Sequence, residues 1–184
     1  MIDLHCHLDG SITVEIAKKL AQLQKIELPA KTDSELLKKL SVPSDCQSLN
    51  DFLECFGLPL RLLQTKEGIT EAVRLVQEDC KAQGLEYLEI RFAPQKHCVN
   101  GLSQEEVILA ALEGLKQSSL HTNLILCLMR ADINQSENKE TIELAQKYLV
   151  KYNGIGAIDL AGAEALFKTK DFENRVKRNS FGSG

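Results

Sequence analysis

The fold is clearest from TKEGITEAVRLVQEDCKAQGLEYLEIRFA at residues 65–93, where the pattern of a helix is followed by that of a strand. Apolar side chains recur there at three- and four-residue steps, the spacing that places them on one face of an α-helix. They are Ile69, Val73, Val76 and Cys80. Gly84 stands where a helix commonly ends, and apolar residues follow it. We therefore predict a helix over Thr65–Gln83 and a strand over Leu85–Ala93.

The same alternation of strand and helix continues on both sides of this stretch. Further strands are predicted at Ile2–Leu8, Thr122–Met129 and Gly156–Ala161. Apolar periodicity, capping boxes and helix stops predict helices between them. Their ranges are Ser11–Gln24, a helix opening at Thr32–Glu35, a bent helix over Ser48–Leu63, Ser103–Gln117 and Thr141–Tyr152. Strands that are apolar on both faces and separated by helices indicate a parallel sheet covered by helices.

Four strand–helix units are half of a (β/α)8 barrel, a fold that usually needs about 200 residues or more. The predicted fold class is therefore α/β of the TIM-barrel type, with the first four βα units only and extra helices after the first strand. An open four-stranded sheet is the alternative. We expect residues 1–173 to form one unit and residues 174–184 to be a frayed tail or a cloning remnant.

The composition excludes several classes of protein. Of 184 residues, 43% are hydrophobic and 26% are charged, which excludes a disordered chain. The net charge of −4 argues against nucleic-acid or membrane partners, which favour a basic face. The first residues lack a signal-peptide pattern, and the six cysteines include no C-x-x-C pair. We therefore expect a cytoplasmic protein whose cysteines are reduced core residues.

Two histidines end the first predicted strand. Side chains of a strand alternate between faces, so His5 and His7 share one face while Cys6 points to the other. Two imidazoles on one face can bind the same zinc ion, with nitrogen–metal distances of about 2.0–2.1 Å. The alternative is a pair of polar residues at a strand–loop junction. Asp9 follows closely, at the strand end where barrels collect catalytic groups.

Other polar residues favour structural roles. Glu89 and Arg91 share a strand face, and we predict a supporting ion pair between them at the rim, with contact to the substrate as the alternative. Arg130 ends the third strand and is predicted to brace the rim likewise. His97 and His121 are interpreted as structural residues and not as metal ligands.

Four motifs stand at the predicted strands, in order along the chain. They are MIDLHCHLDGSI at 1–12, YLEIRFAP at 87–94, LCLMR at 126–130 and DLAGAE at 159–164. Together they resemble strands one to four of the catalytic barrel of the adenosine deaminase family, whose first motif is H-x-H-L-D-G-S. The resemblance covers nearly the whole chain and implies the N-terminal half of that barrel.

The resemblance implies site residues at the matching positions. His5 and His7 correspond to two ligands of a Zn²⁺ cofactor, and His7 also to a substrate contact. Asp9 corresponds to a carboxylate that accepts a hydrogen bond from a ribose hydroxyl. Gly162 corresponds to a glycine whose backbone amide meets a purine ring nitrogen. The residues alone leave two alternatives open, which are Asp9 as the N-cap of a helix near Ser11 and Gly162 as a simple turn.

The resemblance also implies an activity for the full-length parent. It is the zinc-dependent hydrolytic deamination of adenosine and deoxyadenosine to inosine and ammonia in purine salvage, a reaction at a cyclic amidine. The general acid Glu and further metal ligands come from later strands of the family barrel. We therefore expect no catalytic residue in this chain and no deamination by it alone. The alternatives are a deaminase of AMP or N6-alkyl-adenine nucleotides, or a truncated non-catalytic product.

The expected partner is a small-molecule nucleoside. The Asp9 carboxylate would repel a 5′-phosphate, which favours a nucleoside over a nucleotide. Half a barrel also exposes two strand edges and inward apolar side chains, and both features favour self-association. These inward side chains are expected to be Leu88, Ile90, Leu126 and Ile158 or their neighbours.

Overall fold

The computed structural model describes residues 1–42, 46, 55–150, 153–164 and 166–171. Within these ranges, neighbouring strands pair in parallel in the order β1-β2-β3-β4. The strands are β1 Ile2–His7, β2 Tyr87–Phe92, β3 His121–Met129 and β4 Ile155–Ala161. Each begins and ends within two residues of its predicted limits, so the predicted parallel sheet is confirmed.

Helices lie between consecutive strands, and the extra helices after the first strand are confirmed. The helices are α1 Val14–Gln24, α2 Asp33–Leu40, α3 Gly57–Leu62, α4 Lys66–Ala82, α5 Gln104–Leu115 and α6 Gln135–Lys147. Both predicted capping boxes are present, at Thr32 before α2 and at Ser103 before α5. Short 3₁₀ helices add turns at Asp9–Ser11, Pro94–His97, Asp132–Asn134 and Thr169–Asp171.

The helix predicted over Thr141–Tyr152 needs correction, because α6 begins and ends earlier in the chain. Its first turns are polar and carry no apolar stripe that a periodicity search could find. Asn138 fixes these turns to β3 instead. Its side-chain amide accepts from the backbone N–H of Met129 and donates to the Met129 carbonyl, both at 2.8 Å.

The helices cover the apolar face of the sheet. Leu88, Ile90 and Leu126 are fully buried in the core shared with α1, α4 and α5, and Ile158 packs against it partly buried. The prediction that these side chains point inward and stay exposed is therefore wrong. Strand alternation turns them toward the helices and places Arg91, Ile125 and Cys127 on the opposite face.

Several other predictions are met in part. The bent helix predicted over Ser48–Leu63 is described only in its last part, as α3, and residues 48–54 lie outside the described ranges. The predicted tail at 174–184 also lies outside them. Cys6 and Cys127 are buried as predicted, whereas partial exposure remains at Cys46, Cys55, Cys80 and Cys98. None of the helices in the described ranges has the length and apolar character that crossing a membrane requires.

Helices α4 and α5 pack closely at Gly114. A Cβ there would lie 2.5 Å from the Thr70 carbonyl oxygen and 2.8 Å from Val73 Cβ. We expect Gly114→Ala to lower the free energy of unfolding by about 1–3 kcal/mol, because the helices must move apart. Gly57→Ala is the matched control, since nothing lies within 4 Å of the added Cβ. Urea denaturation measures both variants, and a midpoint unchanged by Gly114→Ala would contradict the prediction.

Candidate functional site

The carboxyl ends of the strands surround a cavity of about 550 Å³, in the place where (β/α) barrels hold their ligands. Its wall includes His7 and Asp9 from the end of β1, Arg130 after β3, and Gly162 after β4. Apolar side chains form much of the remaining wall: Phe56, Leu60, Phe92, Met129 and Phe167. The structure thus brings together three of the predicted site residues, which are His7, Asp9 and Gly162. His5 lines an adjoining cavity of about 530 Å³, which His7 and Asp9 share.

His5 and His7 face each other as a chelating pair would. Their Nε2 atoms lie 3.2 Å apart. Two nitrogens bound to one tetrahedral zinc at about 2.0–2.1 Å are about 3.3 Å apart, so the pair fits this metal. Burial lowers the pKa of His7, which keeps the ring neutral and its lone pair available, although the nearby Asp9 carboxylate opposes this shift.

Further metal ligands do not join this pair within the described ranges. No group of three or more His, Cys, Asp or Glu side chains gathers there in a way that could hold a metal. His121 is exposed at the start of β3, and His97 is buried in the wall of the cavity that His7 also lines.

His97 is a neutral histidine in the cavity wall. Its Nδ1 lies 3.0 Å from the Leu63 carbonyl oxygen, which can only accept a hydrogen bond, so Nδ1 carries the proton. The other ring nitrogen, Nε2, is buried and has no hydrogen-bond partner among the described residues. Phe92 packs edge-on against the ring.

We expect His97 to make the fold sensitive to acid. Burial lowers the pKa of His97 to about 4, against about 6.5 in an unfolded chain. The folded state favours the neutral ring, so this contribution is complete above pH 6.5 and falls as the pH drops toward 4. His97→Gln keeps a donor for Leu63 and does not titrate. Chemical denaturation at pH 7 and pH 4.5 measures how much the free energy of unfolding falls between the two. We expect this fall to be about 2 kcal/mol smaller in the variant than in the native chain. Equal losses would contradict the prediction.

Asp9 lies in the 3₁₀ turn that follows β1 and does not cap a helix. The N-cap of α1 is Thr13, whose side chain accepts from the Ile16 amide at 3.2 Å, so the N-cap interpretation of Asp9 is wrong. One carboxylate oxygen of Asp9 accepts from the Gly10 amide at 2.9 Å. Burial raises the pKa of the Asp9 carboxyl, which marks it as a carboxyl partly withdrawn from water at the cavity.

Gly162 follows β4 with a φ of +109°, a conformation that side chains other than glycine rarely adopt. An added Cβ would lie 3.4 Å from Arg130 Cβ and 3.6 Å from Met129 Cε. Gly162 therefore lies in a turn, which is one of its two interpretations from the sequence. It also lines the cavity with backbone atoms that no side chain covers. These two properties are compatible, because the turn is what leaves the backbone uncovered.

The predicted ion pair between Glu89 and Arg91 is wrong. Arg91 Nη1 instead donates to Asp159 Oδ2 at 2.6 Å, reaching across β3 to β4, while Glu89 accepts from the Tyr87 hydroxyl at 2.9 Å. The guanidinium is long enough to cross the sheet, and β4 supplies a carboxylate on the same face. Arg130 does brace the rim, because its Nη1 donates to the Phe167 carbonyl at 2.9 Å.

Sequence reasoning missed some residues that complete this region. Asp159 begins the DLAGAE motif, but its pairing with Arg91 became evident only from the order of the strands. The apolar wall includes Phe56 and Leu60 from around α3, and Phe167 from beyond β4.

The fold and the position of the site define the class of protein. The strands and helices form a partial (β/α)8 barrel with its candidate site at the carboxyl rim. The sequence model of the family described as adenosine deaminase matches residues 1–181. The chain therefore belongs to the adenosine deaminase family, and the resemblance found in its motifs is confirmed.

Individual relatives agree with this assignment. The chain is 50% identical over 179 residues to the adenosine deaminase of Haemophilus ducreyi, covering 94% of this chain and 52% of the relative. The crystal structure of adenine deaminase from Arthrobacter aurescens superposes with a TM-score of 0.77 at 27% identity, over 97% of this chain and 54% of that one. A Burkholderia ambifaria amidohydrolase with bound Zn has the same fold, with a TM-score of 0.75 at 16% identity over 97% and 48%. The chain spans about half the length of the relatives it matches.

Proposed function

We propose that this chain supplies half of the active site of a zinc-dependent hydrolase that deaminates adenosine and deoxyadenosine to inosine and ammonia. The observation that carries the proposal is the His5–His7 pair, with Nε2 atoms 3.2 Å apart, beside a cavity that also holds Asp9. Membership of the adenosine deaminase family supports the choice of reaction.

Each residue at the rim has a proposed role. His5 and His7 hold Zn²⁺, whose chemistry in such sites is the activation of water for attack on an electrophilic carbon. His7 also borders the bound substrate. Asp9 accepts a hydrogen bond from a ribose hydroxyl, and the amide of Gly162 donates to a purine ring nitrogen. The apolar wall excludes water from the flat base. We assign no catalytic acid or base within the described ranges.

Near Asp9 this cavity favours a nucleoside over a nucleotide, whereas Lys96 elsewhere in its wall is a cation that suits a phosphate. The Asp9 carboxylate would repel a 5′-phosphate at short range. The guanidinium of Arg130 is already bound to Phe167 and to the Thr169 hydroxyl at 3.1 Å, and it pairs with Glu164 at 3.5 Å. A deaminase of AMP or N6-alkyl-adenine nucleotides is therefore the second candidate.

The remaining proposals concern the chain in the cell. We propose a cytoplasmic protein of purine salvage, with residues 1–173 as one structural unit. Its small-molecule partner is a nucleoside, and no nucleic acid or membrane takes part. The open edge of β1 exposes 63% of Ile2 and 55% of Leu4, and we propose that self-association through such an edge occurs when nothing covers it.

A chimeric enzyme tests the proposed reaction. Residues 1–171 are joined to the complementary half of the Haemophilus ducreyi adenosine deaminase, and loss of adenosine is followed by absorbance with Zn²⁺ present. We expect deamination of adenosine well above that of AMP, and its loss in His7→Ala and Asp9→Ala versions. A folded, zinc-loaded chimera that prefers AMP would favour the second candidate, and one inactive on both would overturn the proposal.

A further inference from the structure

A β-bulge in β1 includes His5, the first residue of the metal pair. The register with β2 shifts between Asp3 and Cys6, so Leu4 and His5 together oppose one residue of β2. A bulge leaves an extra residue outside the regular ladder of backbone hydrogen bonds. Such bulges are common beside active sites because they re-aim a side chain. The side chain in question here is that of His5.

Asp3 holds the bulge from within β1. The backbone N–H of His5 donates to Asp3 Oδ1 at 2.8 Å. A hydrogen bond to an ionised carboxylate is stronger than one between neutral groups. This bond fixes the backbone of His5 relative to Asp3, two residues earlier. The position from which the His5 imidazole extends is fixed with it.

Arg91 holds the bulge from across the sheet. Its Nη2 donates to the Leu4 carbonyl at 2.9 Å, and its Nη1 donates to Asp159 Oδ2 at 2.6 Å. A guanidinium is planar and rigid, so anchoring one nitrogen on β4 fixes the direction of the other. The Arg91 side chain is only 10% exposed, so the guanidinium itself lies largely out of water.

We propose that Asp3 and Arg91 are positioning residues that lock the Leu4–His5 bulge and so bring the His5 imidazole to chelating distance from His7. The side-chain contacts bind an N–H and a carbonyl at the bulge, one from each side of the same peptide bond. The inference rests on the proposed zinc function for its purpose, whereas the positions of Leu4 and His5 rest on the hydrogen bonds to Asp3 and Arg91.

The test of position uses the metal-free chain in solution. Ring-to-ring nuclear Overhauser effects between His5 and His7 report their proximity, and amide exchange reports the bond to Asp3. We expect Asp3→Ala to lose the ring contact and to exchange the His5 amide about 10-fold faster. Asp3→Asn should keep the ring contact and the slow exchange of the His5 amide, because the asparagine side-chain oxygen still accepts a hydrogen bond. Glu86→Ala, near the start of the same strand pair, is the control for loss of a carboxylate. An Asp3→Ala chain that keeps both signals overturns the proposal.

Arg91→Lys provides a second variant should Asp3→Ala fail to fold. The single ammonium group of lysine cannot reproduce the bonds that the two guanidinium nitrogens make to Asp159 and to the Leu4 carbonyl. The His5–His7 ring contact should therefore weaken. An unchanged ring contact in this variant overturns the role of Arg91.

Metal titration separates this inference from the proposed function. We expect Co²⁺ and Zn²⁺ to bind about 10–100-fold more weakly to Asp3→Ala and Arg91→Lys than to the native chain, as for other residues that orient metal ligands. Equal affinities in all three proteins would overturn the positioning roles. A native chain that binds no metal would contradict the zinc function, and the ring contacts would still decide the positioning proposal.

Discussion

Replacing His7 with alanine is expected to weaken the binding of Zn²⁺ to this chain by at least about 100-fold, since loss of a ligand exceeds the 10–100-fold effect of losing a residue that orients one. One imidazole cannot chelate, and the remaining His5 is exposed to competing water. Isothermal titration of the metal-free chain with Zn²⁺ measures the change. The effect should be on binding and not on folding, because His7 lies at the rim, outside the helix-covered core.

His121→Ala is the matched control for this prediction. His121 is also a strand histidine, but it lies exposed at the amino end of β3, away from the cavity. Its removal should leave the zinc affinity unchanged. If the two variants bind zinc equally well, the metal is held elsewhere or by nonspecific contacts, and the proposed site is wrong.

Local patterns predicted the architecture because each one acts over a few residues. The capping boxes of α2 and α5 each lie within one turn, and the stripe of α4 lies within one helix, so the sequence alone shows them. The start of α6 depends on Asn138 binding the backbone of Met129, nine residues away on another element. No periodicity reports such a contact.

The candidate site divides in the same way. His5, His7 and Asp9 lie within five residues of one another at a strand end, so alternation and the strand-end rule place them together. Alternation of side chains along the strand does not predict the bulge at Leu4 and His5, because the bulge depends on pairing with β2. The partner of Arg91 lies 68 residues away, and only the order of the strands brings Asp159 within reach.

Replacing Arg91 with methionine is expected to lower the free energy of unfolding by about 2–3 kcal/mol. Breaking a fully buried ion pair costs about 3–5 kcal/mol, and the smaller value applies because the Asp159 side chain keeps 35% exposure. The variant also leaves the Leu4 carbonyl without the donor that Arg91 supplies. Urea denaturation monitored by circular dichroism measures the loss.

Arg74→Met is the matched control, because Arg74 binds Glu71 at the same 2.6 Å separation on the surface of α4. A pair of that kind contributes about 0.2–1 kcal/mol, so distance alone cannot account for a larger effect at Arg91. Removing Asp159 together with Arg91 should recover part of the loss, since no carboxylate then lacks its partner. If Arg91→Met costs no more than Arg74→Met, the cross-sheet pair does not tie β1 to β4. The bulge at Leu4 and His5 would then owe its shape to the pairing of the strands alone.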